Sequence, residues 1–252
     1  VNGRVLRILL PVALLAGLIA FWEWAVGHWQ IKPFVLPAPS AILAAFTSDG
    51  GSLLRSALTT LATTLAAFVL AVVSGTALAV LFASSRLAEA ALAPYAVTLQ
   101  VTPVVAIAPL IIVWVGLDNA WLAVLILAWI VAFFPVLASA TAGLKSVDPN
   151  LRDLFRLYRA GPWQTFRRLL IPASLPYLLS GMKTAGGLAL VGTVVAEFAA
   201  ASGNTDGLAW RILEAGNRLQ IAKMFAALLL LAIIGVLIYA ALSAVEARYR
   251  RQ

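Results

Sequence analysis

Long runs without a single charge set the terms on which this chain folds. Ser56 to Ser85, Ala90 to Leu117, Asn119 to Leu144 and Met224 to Val245 contain no Asp, Glu, Lys or Arg. Each exceeds the ~20 apolar residues that a helix, rising ~1.5 Å per residue, needs to cross a hydrocarbon layer of ~30 Å. Two further stretches have similar length and character: Ile8 to Val26, with Glu23 near its end, and Tyr177 to Phe198, with Lys183 and Glu197 near opposite ends. The chain is 63% hydrophobic and 11% charged, against roughly 25% charged in soluble domains. The expectation is an all-α integral membrane protein, one domain over 1–252 with six transmembrane helices. The spans are placed at about 8–26, 57–84, 92–116, 120–143, 177–198 and 224–245. A β-barrel does not fit, because these runs are apolar throughout rather than alternating. The first run reads as a retained helix and not a secretory signal, since Trp22, Trp24 and Trp29 form an aromatic belt where a signal carries small residues.

The net charge of +8 then becomes a topological statement and needs no nucleic acid. With an inside N-terminus and alternating spans, Arg4, Arg7, Arg86, Lys145, Arg152, Arg156, Arg159, Arg167, Arg168, Arg248, Arg250 and Arg251 fall inside. Lys32, Arg55, Arg211, Arg218 and Lys223 fall outside. Basic residues concentrate on the cytoplasmic side of membrane proteins, so an N-in, C-in orientation is expected. Cysteine is absent and His28 is the only histidine. Thiolate or histidine metal centres and a Ser-His triad are thereby disfavoured, and His28 reads as an interfacial residue.

The segment 145–172, between spans four and five, is polar and basic in a chain that is otherwise hydrocarbon. Asp148-Pro149 is a helix start, with an aspartate able to accept backbone N–H groups and a proline that has none to offer. A helix from Pro149 to about Ala160 is expected, with Gly161 as terminator, Pro162 as restart, and Pro172 and Pro176 breaking the chain before span five. On this helix Arg152, Arg156 and Arg159 make one basic face, and Leu151, Leu154, Phe155 and Tyr158 an apolar one. The arginines alone can be a topological anchor. An amphipathic helix of this kind can also lie on anionic headgroups or enter a groove on a partner.

This segment resembles the signature loop of the inner-membrane permeases of binding-protein-dependent ABC importers: EAA, three residues, Gly, nine residues, then I-x-LP. Anchored on Ile171-Pro172, the pattern places its first hydrophobic residue on Leu169, its glycine on Arg159 and its acid on Asp153. Leu154 and Phe155 stand where it has alanines, and Gly161 lies two places beyond its glycine. FVLPAPSAILAAF (Phe34 to Phe46), QVTPVVAIAPLIIVWVGLDNA (Gln100 to Ala120), GLKSVDPNL (Gly143 to Leu151) and VVAEF (Val194 to Phe198) are similar to successive segments of the nitrate, sulfonate and taurine type permeases. VVAEF and MFAALLLL (Met224 to Leu231) also resemble relatives that carry thiamine precursors or riboflavin.

The resemblance implies a type I importer permease in the bacterial inner membrane, working as a homodimer. It implies a cytoplasmic ATP-binding-cassette ATPase dimer carrying ATP and Mg, and a periplasmic or lipid-anchored substrate-binding protein. The coupling residues it implies are Asp153, Arg156, Arg159, Ala160, Gly161 and Trp163. No cofactor is expected on this chain, and no G-x-x-x-x-G-K-[ST] phosphate loop occurs in it. The segment from Ala201 to Lys223 would help form the outer surface where the binding protein docks.

Within the spans, Glu197 stands out, because an ionisable group at membrane depth faces protein or a water-filled cavity. It either sits near the outer interface tied to Arg211 or Arg218, or lines the translocation path. Pro103 and Pro109 interrupt span three, and Gln100 and Thr102 beside Pro103 offer polar contacts to a passing solute. Ala185, Gly186, Gly187, Ala189 and Gly192 suit close helix packing in span five. Two other classes fit the sequence less well. A lipid-processing membrane enzyme lacks an acid-base or metal motif here, and a secondary transporter would often carry inverted repeats that the two halves do not display.

Overall fold

The computed structural model describes residues 3–200 and 206–249, and every regular element among them is helical. In order these are α1 (Gly3–His28), α2 (Pro39–Ser84), α3 (Arg86–Val101), α4 (Val104–Val115), α5 (Ala120–Lys145), α6 (Pro149–Leu157), α7 (Pro162–Thr165), α8 (Ile171–Ala199), α9 (Leu208–Asn217) and α10 (Ile221–Tyr249). A 3-10 turn (Leu117–Asn119) precedes α5, and a π turn (Phe166–Leu170) joins α7 to α8. Arg250 and Arg251, and 201–205 of the external segment, lie outside the described residues. Among the described residues, five helices are long and apolar enough to span a membrane, or six if the bent pair α3 and α4 counts as one.

Three elements differ from the sequence expectation. Helix α2 begins well before residue 57, at Pro39, and runs for 46 residues through Gly50 and Gly51. At ~1.5 Å per residue it is about 69 Å long, more than twice the hydrocarbon thickness. Span three is not one rod. Its halves meet at 101° across Thr102-Pro103. The ring of Pro103 excludes the residue before it from the helical region, and Thr102 is extended at φ −70°, ψ 124°. Pro94 and Pro109 sit inside α3 and α4 without ending them.

The third difference concerns Pro172 and Pro176. Neither breaks the chain, and the helix is continuous from Pro162 to Ala199. Proline removes a bond to the preceding turn and crowds its carbonyl. The wide π turn just ahead relieves that crowding, with the Ile171 N–H donating to the Phe166 carbonyl.

Helix α5 is packed between α2 and α8, and small residues set the separation. Ala71, Ala132, Val136, Ala185 and Ala189 form one buried cluster at this crossing. A Cβ on Gly75 would lie 3.1 Å from Val136, one on Gly143 2.9 Å from the Ser174 backbone, and one on Gly192 3.0 Å from Ala128 Cα. Gly186 closes instead on Leu242 and Ile238 of α10, whereas Gly187 has open space. Polar bonds stitch the same helices: the Trp129 indole donates to Ser74 Oγ at 2.9 Å, and Thr64 Oγ1 donates to Thr193 Oγ1 at 3.1 Å. Lys183 of α8 pairs with Glu246 of α10 at 2.9 Å, beside the Tyr239 ring. Large apolar side chains such as Leu14, Leu18, Leu54 and Leu237 cover the outside, as lipid contact requires.

Candidate functional site: coupling segment and path

The residues singled out by sequence gather in three regions: ahead of α8, at the break between α3 and α4, and near the far end of α8. Ahead of α8, the Asp148 carboxylate caps α6 by accepting the Asn150 N–H at 2.8 Å. Arg152 turns back and donates to the Leu144 carbonyl at 2.9 Å. That carbonyl is one of the orphan acceptors at the end of α5, so the arginine pins α6 to the bundle. Lys145 pairs with Glu89 in the first turn of α3, tying a third helix to the same corner.

Helix α6 ends earlier than expected and by a different residue. The Ala160 N–H bonds to the Phe155 carbonyl and the Arg159 N–H to the Arg156 carbonyl, both at 2.9 Å. This is a Schellman closure, whose pivotal residue adopts the left-handed conformation. Arg159 fills that position at φ 51°. The signature pattern places its glycine on this residue, and the backbone here explains why: a side chain costs about 1–2 kcal/mol in this region. Gly161, expected to terminate α6, has ordinary φ −66° and begins α7. Its N–H donates to Gln164 Oε1 at 3.2 Å.

Between α6, α7 and the end of α2 lies a cleft of about 630 Å³ lined by Val80, Ser84, Arg152, Arg156, Ala160 and Trp163, among others. Arg156, Ala160 and Trp163 are therefore brought together. Asp153 reaches the group through Arg156 at 3.4 Å. Arg159 and Gly161 are not among the lining residues. Beside the cleft, Leu157 is 81% exposed, Tyr158 80% and Trp163 67%. Apolar surface next to arginines suits anionic headgroups or a groove on a partner protein.

The path candidates lie at the break between α3 and α4. Gln100 and Val104 line a cavity of about 240 Å³ with Ile130, Phe134 and Pro135 of α5 and Leu188 of α8. Thr102 does not present a free hydroxyl, because its Oγ1 donates to the Thr98 carbonyl at 2.8 Å. Pro103 is exposed at the break itself.

Glu197, at the other end of α8, is only 2% exposed. Its Oε1 accepts the Thr60 hydroxyl at 2.8 Å, and its Oε2 accepts the Ala209 N–H at 3.0 Å. Thr60 Oγ1 in turn accepts the Leu208 N–H at 2.9 Å. The carboxylate thus meets the N-terminus of α9, where free N–H groups and the helix dipole favour an anion.

Neither Arg211 nor Arg218 holds Glu197, contrary to one sequence expectation. Arg211 donates to Ser56 Oγ at 3.0 Å and to Glu214 at 2.8 Å, and Arg218 pairs with Glu214 at 3.1 Å. The Arg211 guanidinium holds the Glu214 carboxyl below its ordinary value. Sequence reasoning missed Thr60 and its neighbours. Their signal was spacing: Ser56, Thr60 and Thr64 stand at i, i+4 and i+8 on α2, facing Thr193 and Glu197 at i and i+4 on α8.

Comparison with known proteins decides the family. Residues 71–251 match the model for the binding-protein-dependent transport system inner membrane component. The chain belongs to that family. A probable ABC transporter permease protein of Haemophilus influenzae is 29% identical over 93% of this chain and 94% of its own length. The riboflavin transport system permease protein of Chloroflexus aurantiacus is 33% identical over 91% and 84%. A putative aliphatic sulfonates transport permease protein of Bacillus subtilis is 30% identical over 93% and 83%. This permease is accordingly a multi-pass, channel-forming subunit of an ABC importer and not an enzyme, and ATP hydrolysis belongs to a separate chain.

Proposed function

We propose that two copies of this permease, each with six spans and both termini inside, form the channel of an importer in the bacterial cytoplasmic membrane. A dimer of cytoplasmic ATPase subunits, holding ATP and Mg, docks on α6 and α7 and drives it. Asp153, Arg156, Arg159, Ala160, Gly161 and Trp163 are the coupling residues. A substrate-binding protein delivers the cargo to the opposite face, around α9. The observation that carries this reading is the amphipathic α6, anchored to α5 through Arg152 while Leu157 and Tyr158 stay exposed. The orientation is supported by the arginine-rich segment that precedes α8, since basic residues concentrate on the inner side, and Lys183–Glu246 draws the end of α10 toward that same side.

Gln100, Thr102 and Pro103, at the break between α3 and α4, are assigned to the translocation path. Irregular backbone at membrane depth is tolerated where it lines a cavity or is covered by protein, and Gln100 borders one. The cargo is a small solute. The relatives' names span riboflavin and aliphatic sulfonates, so a sulfonate, taurine or nitrate-like anion and a pyrimidine or flavin vitamin precursor are the two classes to screen. Tagged permease extracted gently from its native membrane is expected to bring down a Walker-motif ATPase, in a particle holding two copies of each chain. Recovery of the permease alone, without ATP-dependent activity, would contradict the reading.

A further inference from the structure

The buried contact at the far end of α8 links three elements. Glu197 and Thr60 are 2% and 0% exposed, and Leu208 and Ala209 are 0% exposed. One hydroxyl and one carboxylate receive the first two N–H groups of α9, and they are bonded to each other. The approach is so close that a Cβ on Gly207 would overlap the Glu197 carboxylate. Gly207 has ordinary extended backbone, φ −77° and ψ 171°. Space rather than dihedral freedom therefore excludes a side chain there. Hydrogen bonds in so buried a site fix geometry more firmly than surface contacts do.

Glu197 also sits near the end of a single rod. The helix that carries it is continuous from Pro162 for 38 residues, about 57 Å at ~1.5 Å per residue. Its other end forms one wall of the cleft with Arg156 and Trp163. We propose that Glu197 and Thr60 are the positioning joint that makes α9 move with α8. A tilt imposed at α6 and α7 then reaches the opposite surface. Glu197 acts through α9 rather than on the cargo. Packed rigid elements transmit displacements of this kind when both ends bias the same arrangement. The inference rests on the importer reading above, because it needs an ATPase acting on α6 and α7.

The test uses the assembled permease–ATPase complex in lipid nanodiscs, with ATP plus vanadate as the probe. Hydrogen exchange is followed in two segments, 149–163 and 208–217. In the parent complex, trapping is expected to protect the first segment and to change exchange in the second by roughly fivefold or more, the lower range of coupling between linked sites. Glu197→Ala and Thr60→Val should lose the response in 208–217 while 149–163 still responds. Glu197→Gln, which keeps the acceptor for the Ala209 N–H, should retain part of it. If Glu197→Ala fails to assemble, Gly207→Ala forces the Glu197 carboxylate and the start of α9 apart without altering either span, and carries the same prediction. A normal response in Glu197→Ala or Gly207→Ala would overturn the joint while leaving the importer reading intact, as would a parent complex whose 149–163 alone responds. Failure of any ATPase to assemble would remove both.

Discussion

Reversing the charges of Arg156 and Arg159 together, to glutamate, is expected to lower the amount of ATPase retained on the purified permease about tenfold or more. The level of the permease in the membrane should stay near that of the parent. The two arginines contribute little to the fold. The Arg156–Asp153 pair is 3.4 Å long with side chains 83% and 67% exposed, and such surface pairs are worth little. Arg159 already occupies the left-handed position, and glutamate bears a similar penalty there. What changes is the sign of the surface offered to a partner. A tenfold loss is about 1.4 kcal/mol, well within the several kcal/mol that like charges brought face to face cost. Full retention of the ATPase would show that these arginines only anchor the loop on the inner side of the membrane.

Gly181→Leu carries the largest expected effect on stability. Even a Cβ at this position would lie 2.5 Å from Ser139 Cβ, 2.7 Å from its Oγ and 3.0 Å from the Pro135 carbonyl oxygen. The last of these is backbone, so rotamer changes cannot clear it, and α5 and α8 must separate. Overpacking a core typically costs about 1–3 kcal/mol, enough to lower the unfolding temperature in detergent by about 2–12 °C. Gly17→Leu in α1, where a Cβ meets nothing within 4 Å, is the matched control and should unfold with the parent. Equal unfolding temperatures for Gly181→Leu and the parent would contradict the close α5–α8 crossing.

These two sites differ in how far the sequence disclosed them. The capped start of α6 was legible because Asp148-Pro149 is a local signal, complete within a few residues. Its end was not. Gly161 looks like the terminator, yet the chain turns at Arg159, where the penalty of an L-residue is absorbed by the two closing hydrogen bonds. Prolines were similarly ambiguous. Pro11, Pro94, Pro109, Pro135 and Pro176 all lie inside helices, so a proline alone does not announce a break. Among the described residues, Thr102-Pro103 alone opens into a 101° bend, and the cavity that the bend borders with α5 and α8 is a tertiary feature.

The start of α2 was hidden because the charge-free run begins only at Ser56, whereas the helix already runs through Asp49, Gly50, Gly51 and Arg55. Asp49 there pairs with Lys223 at the start of α10 at 2.7 Å, a contact made across 174 residues of sequence. The gathering of small residues in span five signalled close packing. Only the three-dimensional arrangement shows that Gly181 and Gly192 face α5 while Gly186 faces α10. Glu197 announced itself as an ionisable group at membrane depth. Its partner Thr60 is 137 positions away, and the helix it caps is not predictable from that carboxylate alone.

If α6 and α7 seat on a separate ATPase, the chain itself offers a clean probe of that contact. It contains no cysteine, so Leu157→Cys creates a single attachment point on an 81% exposed position. A photo-activated crosslinker attached there is expected to capture the ATPase chain as the main product, with a yield that changes when ATP and vanadate are added. Crosslinks confined to lipid, with the ATPase present in the same membranes, would contradict the account.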